Sequence, residues 1–187
     1  MADLDVLAIA GSLRRDSFNR RLLEGAAEQA PPGMAITVSD DLASIPLFSE
    51  DLEEEAGGAP AAVRRLRHAV ERADGLLIAT PEYNHSIPGV LKNAIDWLSR
   101  PGPGPGLAGK PVAIVGATTG AWGTRLAQSA LRQVLYATES LVLPAPGLLL
   151  REASRAFDAE GRLRDERTRD ALGEVLVGLA AWIVRCR

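Results

Sequence analysis

Three stretches of the chain are apolar almost without interruption: Leu4–Ala10 (L-D-V-L-A-I-A), residues 76–80 (L-L-I-A-T) and residues 111–115 (P-V-A-I-V). Runs this short and this apolar predict strands buried on both faces. Elsewhere apolar residues recur at helical spacing. Phe18, Leu22, Leu23, Ala26 and Ala27 predict a helix beginning near Ser17. Val90, Leu91, Ala94, Ile95, Trp97 and Leu98 predict another behind Pro88, a residue suited to the first helical position. Residues 61–73 form a basic amphipathic helix, a loop and helix occupy 116–135, and Leu172, Val175, Leu176, Leu179, Trp182 and Ile183 stripe a final helix. Met34–Ser39 is short and polar enough for an edge strand, and residues 140–143 form a fifth strand closed by Pro144. Strands alternating with helices require a parallel sheet covered on both sides, so the class is α/β. At 187 residues the expectation is one domain spanning 1–187.

Composition narrows the function by exclusion. With 47% apolar residues the core is sizeable, and a net charge of −3 argues against a general nucleic-acid binder. No run approaches the ~18 apolar residues of a membrane span. The chain enters its first strand at Leu4, which leaves no room for a secretory leader, so a cytoplasmic location is expected. Cys186 is the single cysteine, and with only His68 and His85 beside it no Cys/His metal site is expected. The acidic stretch Glu50–Glu55 and the arginines at 64, 65, 67 and 72 read as solvated faces, with His68 at the surface. The Pro/Gly-rich loop 100–110 lies within the domain, because the α/β rhythm resumes at once, and residues 157–163 make a turn.

Candidate chemistry gathers at the strand ends. Pro81 stops the central strand, and Glu82, Tyr83, Asn84, His85 and Ser86 form a polar loop directly before a helix. In an open parallel sheet that is where ligands bind. After the first strand, Ser12, Arg14, Arg15, Ser17 and Asn19 crowd the entry to the next helix. Exposed N–H groups there carry partial positive charge, which makes a phosphate seat. Neither a G-x-x-x-x-G-K nor a G-x-G-x-x-G pattern is present, and hydroxyl and amide side chains stand where glycine backbone would. Such a seat suits the terminal phosphate of FMN better than the pyrophosphate of NAD.

Two motifs carry a resemblance. Residues 81–97, P-E-Y-N-x-S-x-P-G-x-L-K-N-A-I-D-W, resemble the flavin-ring loop of the NADPH-dependent FMN reductase family. Residues 11–19, G-S-L-R-x-x-S-x-N, are similar to its phosphate loop. The resemblance covers nearly the whole chain. It implies a flavodoxin-like three-layer sandwich with a five-stranded parallel sheet in the order 2-1-3-4-5. It assigns Ser12, Arg14, Ser17 and Asn19 to the FMN phosphate and Pro81, Glu82, Tyr83 and Asn84 to the ring. Thr118, Thr119 and Gly120 are expected beside the flavin pyrimidine or the incoming substrate. In one place the chain departs from the pattern: for G-G-x-R-x-Q it has Gly123, Thr124, Arg125, Leu126, Ala127 and Gln128, so no role is carried to Arg125.

The implied activity is FMN-dependent transfer of two electrons from NADPH or NADH to a small acceptor: a quinone, an azo or nitro compound, or a metal oxyanion. No side chain is assigned as catalytic, since the cofactor carries the chemistry. Two readings stay beside it. One is a flavin reductase that supplies reduced FMN to a partner monooxygenase. The other is a flavodoxin-like electron carrier, although the T-x-T-G-x-T loop usual for carriers is absent. No glycine precedes Gly89 in the ring loop, Pro81 fixes its own φ and Tyr83 disfavours φ > 0, so a stiff loop presenting a fixed N–H is expected. A homodimer or tetramer is expected, with Trp97 and Trp122 as exposed indoles near the flavin loops.

Overall fold

The computed structural model describes residues 3–39, 41–55, 57–102 and 104–187; Pro103, in the predicted 100–110 loop, lies outside them with residues 1, 2, 40 and 56. In chain order the main elements are β1 (Leu4–Ala10), α1 (Phe18–Glu28), β2 (Met34–Ser39), α2 (Glu50–Glu55), α3 (Ala61–Arg72), β3 (Gly75–Ala79) and α4 (Gly89–Leu98). There follow β4 (Pro111–Ala117), α5 (Arg125–Ala137), β5 (Leu141–Val142), β6 (Leu148–Leu150) and α6 (Glu166–Cys186). The strands form one parallel sheet in the order β2-β1-β3-β4-β5, with β6 also paired to β4. This is the flavodoxin-like order expected from the sequence.

The continuous apolar runs are explained by a core on each face. Val6, Ala8, Leu77, Ala79, Ala113 and Val115 point to one side, where Leu22 and Leu23 of α1 and Leu172, Val175 and Leu179 of α6 cover them. Leu7, Ile9, Leu76, Ile78, Val112 and Ile114 point to the other, under Leu66 and Val70 of α3, Leu91 and Ile95 of α4 and Leu131 of α5. Side chains alternate across a strand, so a strand covered on both faces must be apolar at every position. Among the described residues no helix is long and apolar enough to cross a membrane.

Four expectations are corrected, the last in part. The sheet has six strands rather than five: β5 lies inside the expected 140–143 and pairs with Pro111 and Val112, and an unexpected strand, β6, resumes that edge at Val115–Ala117. Pro144 and Pro146 interrupt it because neither can donate a ladder hydrogen bond. Arg67 is not on a solvated face. It is 4% exposed and donates to the carbonyls of Trp97 and Arg100, satisfying the C-terminal end of α4. Trp97 is fully buried rather than an exposed indole, its Nε1–H donating to the Pro46 carbonyl at 2.8 Å and its ring edge-on to Phe48. The solvated acidic helix is partly engaged as well, since Glu53 pairs with Arg100 at 2.9 Å.

Candidate active site

The strand order reverses between β1 and β3, and the loops after β1, β3 and β4 meet at that point. Backbone bonds carry the ladder into them: Gly11 donates to Ala79 at 2.8 Å and Thr80 to Val115 at 3.0 Å. Gly11 keeps the two loops close: a Cβ would stand 3.0 Å from Leu91 and 3.3 Å from the Ala79 carbonyl, so either neighbour would have to give by a few tenths of an ångström.

In the first loop, the Ser12 hydroxyl accepts the Arg14 N–H at 3.3 Å and lies 3.4 Å from the Tyr83 hydroxyl. Ser17 caps α1, its oxygen accepting the Arg20 N–H at 3.4 Å. The first turn of α1 contains no acidic residue. Among the described residues the N–H groups of Phe18 and Asn19 meet no acceptor at the start of the helix. Arg14 and Arg15 extend into solvent with no side-chain partner among the described residues, and a cleft of about 270 Å³ opens beside them. Asn19 was expected among the phosphate ligands, and its side chain is otherwise engaged. It is 3% exposed, and its carboxamide makes two 2.9 Å bonds with the backbone of Ala117, clamping α1 to the end of β4.

The second loop is closed on itself. Tyr83 and Ser86 exchange two 3.0 Å backbone bonds across Asn84 (φ 50°) and His85 (φ 64°). Two successive left-handed residues between paired ends make a mirror-image two-residue turn. The loop is stiff, as its sequence implied, but the device is different. Positive φ is used, by asparagine and histidine, which tolerate that region better than most residues. The N–H groups of Asn84 and His85 have no acceptor among the described residues. Thr80 buttresses the entry by donating its hydroxyl to the Pro81 carbonyl at 2.8 Å, and Pro81 itself is buried.

Glu82 faces away from the first loop. One oxygen accepts the N–H groups of Leu126 and Ala127 at 2.9 and 3.0 Å, and the other lies 3.6 Å from His85 Nδ1. Its carboxylate thus caps α5 from across the site. No local signal in the sequence announces this pairing, because the partners are 44 and 45 residues away.

The third loop hangs from β6. Thr118 donates its N–H to Leu150, and its carbonyl accepts from Ala153; Gly120 accepts from Glu152. Thr118 Oγ1 accepts the Gly120 N–H at 3.2 Å, while Thr119 and Gly120 are exposed. The segment 148–153 is therefore part of the site's frame, and the apolar run Leu148–Leu150 was the signal that could have found it. Thr124, at the departure from the family pattern, is buried, and its hydroxyl occupies the space a side chain on Gly116 would need. Gln128 donates to Thr124 Oγ1 and to the Leu148 carbonyl, while Arg125 points into solvent.

The donor set fits FMN. The Ser12 hydroxyl, the exposed Arg14 guanidinium and the N–H groups of a helix start suit a phosphate dianion, with Ser17, 3% exposed, spent on the helix cap; a loop whose Asn84 and His85 N–H groups meet no acceptor among the described residues suits a flat heteroaromatic ring. His68 lies elsewhere, lining a groove of about 470 Å³ with Asp5 and Thr37 beside the first residues of β1.

Comparison with known proteins agrees with this geometry. The chain is 47% identical over 185 residues to an NAD(P)H-dependent FMN reductase of Pseudomonas aeruginosa, covering 99% of this chain and 98% of that one. It is 40% identical to a 2-hydroxy-1,4-benzoquinone reductase of a Burkholderia species, over 96% of each. Among solved structures, the flavoenzyme NAD(P)H:(acceptor) oxidoreductase FerB of Paracoccus denitrificans superposes with a TM-score of 0.87 at 32% identity, covering 97% of this chain and 98% of that one. Residues 4–155 match the family described as NADPH-dependent FMN reductase, and the chain belongs to that family.

Proposed function

We propose that this oxidoreductase holds FMN across the three loops and passes electron pairs from NAD(P)H to a small quinone-type acceptor. The observation that carries the reading is the stiff turn 83–86, which is open to solvent and tied to the loops on both sides. FMN, when bound, would supply the two-electron redox chemistry between nicotinamide and acceptor. Ser12, Arg14 and the N–H groups at the start of α1 bind the phosphate, with Ser17 fixing the helix entry. Pro81 and the Asn84 and His85 N–H groups orient the ring from one side, and Thr118 and Gly120 border it from another. Tyr83, 46% exposed, walls the entrance for the acceptor.

We also propose a homodimer or a dimer of dimers in the cytoplasm, with the 187 residues as one unit. Trp122 is 86% exposed, Leu126 four residues on is 47% exposed, and Leu149, packed near Gly123, is 40% exposed; uncovered apolar residues at the rim of the site fit a subunit boundary. Sedimentation of a fully active monomer at micromolar concentration would refute this.

The purified protein is expected to be yellow and to release FMN rather than FAD on denaturation. Stepwise reduction should pass from oxidised to fully reduced flavin with almost no one-electron form. A colourless protein that cannot be reconstituted with FMN would end the reading, and a one-electron form holding most of the flavin would favour an electron carrier. The name of the Pseudomonas relative supports a second reading, with free FMN itself as acceptor. Steady-state rates with quinones and with free FMN separate the two.

A further inference from the structure

Helix α5 begins without a local cap. Thr124 makes no side-chain capping bond, and no acidic residue lies in the first turn. The four N–H groups at such an end, and the partial positive charge they carry, normally need an oxygen close by. Here the oxygen comes from Glu82, in the loop after β3, through its two bonds to Leu126 and Ala127. The carboxylate is largely shielded, its side chain only 15% exposed. The neighbouring residue reaches the other way, with the Tyr83 hydroxyl 3.4 Å from Ser12. Two adjacent side chains of the ring loop thus reach toward opposite flanking loops, Glu82 by two direct hydrogen bonds and Tyr83 by a longer approach.

We propose that Glu82 is a positioning residue whose carboxylate fixes the ring loop against the start of α5 and cancels that helix end's positive charge, so setting both FMN affinity and flavin potential. The inference rests on the FMN reading given above. It departs from the motif-based expectation, in which Glu82 is a flavin ligand, because the side chain is already engaged on α5. Two effects separate by chemistry. Glutamine keeps an oxygen for the two N–H groups and loses the charge. Alanine loses both. A helix end relieved of its counter-charge favours the more negative, reduced cofactor.

The test uses apo-protein titrated with FMN, dye-coupled potentiometry of the holoenzyme and thermal melting of the apo-protein, for wild type, Glu82→Gln and Glu82→Ala. Glu82→Gln is expected to bind oxidised FMN within about threefold of wild type, since a neutral acceptor retains most of the geometry. Its preference for reduced over oxidised FMN should rise about tenfold, which for a two-electron couple is an upward shift of about 30 mV. Glu82→Ala should show the same upward shift and, in addition, bind oxidised FMN about tenfold more weakly. A lower melting temperature in Glu82→Ala with affinity and potential both unchanged would reduce Glu82 to a structural cap and overturn the proposal. An unchanged potential in Glu82→Gln, which keeps the cap, would overturn it even if Glu82→Ala fails to fold. Failure of wild-type apo-protein to take up FMN is a different result, and sinks the FMN reading instead.

Discussion

The loop after β1 and the loop after β3 meet at the same point of the sheet and are built in opposite ways. The first leaves its charged groups loose: Arg14 and Arg15 are exposed, and the backbone is shaped mainly by the Ser12 and Ser17 hydroxyls. The second is braced along its backbone and at two side chains. Its ends bond each other across the 84–85 turn, Pro81 is buried, and Glu82 and Tyr83 reach the neighbouring loops. The difference follows from what each must recognise. A phosphate dianion attracts cationic side chains from many directions, and Coulombic attraction falls slowly with distance. A flat ring undergoing chemistry needs donors fixed in one place beforehand, because only preorganised groups cost no rearrangement during the reaction.

The sharpest way to break the comparison is to remove what ties the helix behind the first loop to the end of β4. Asn19→Ala should destabilise the apo-protein by about 2–4 kcal/mol, because both backbone groups of Ala117 lose their buried partner. Urea unfolding measures this, and a loss below the error of that measurement would mean that water replaces the amide.

A smaller effect is expected on the loose side alone. Arg14→Ala should weaken FMN binding by about 1.5–3 kcal/mol, the range for hydrogen bonds to charged groups, with little change in melting temperature. Arg15→Ala should cost less. Equal losses in fluorescence titrations would show a loop that is merely basic.

The stiff side offers the reverse signature. His85→Gly removes a side chain held at φ 64° and should raise stability by up to about 1 kcal/mol. The absorbance of bound FMN should not change. A melting temperature that falls would show that the His85–Glu82 approach matters more than the backbone strain.

The smallest effect lies behind α1, where Phe157 stacks on Phe18 at 5.6 Å and the turn 157–163 is organised by Asp158. Its hydrogen bond from Arg164, helped by Arg162, holds this carboxyl at about 2, below the ordinary 3.8. The unfolded chain therefore takes up the proton first on acidification. This contribution is complete above about pH 3.8 and is lost as pH falls through about 2. Asp158→Asn should flatten that part of the acid limb in melting curves taken across the window; a limb of unchanged slope would show that other carboxylates dominate it.

Much of the frame could be read along the chain. Leu4–Ala10 and residues 111–115 betray buried parallel strands because a strand covered on both faces has no place for polar side chains, and that constraint is local. The positions of the three loops followed from the strand–helix rhythm, and residues 11–19 and 81–97 carried the family motifs. The roles of individual polar residues were less legible. Asn19 and Glu82 look the same in sequence whether they bind a ligand or brace a helix. Arg67 looks like its solvated neighbours Arg64 and Arg65.

What the sequence alone determined, then, is the alternation of elements, the parallel sheet and the family, since each depends on periodicities or motifs within about twenty residues of chain. Tertiary structure alone decided that Asn19 clamps Ala117, 98 residues away, that Glu82 caps α5, that Arg67 ends α4, and that a sixth strand, β6, joins β4 beyond β5. A polar group is satisfied by whichever partner the fold brings within about 3 Å, and that partner leaves no mark on the residues beside it in the chain.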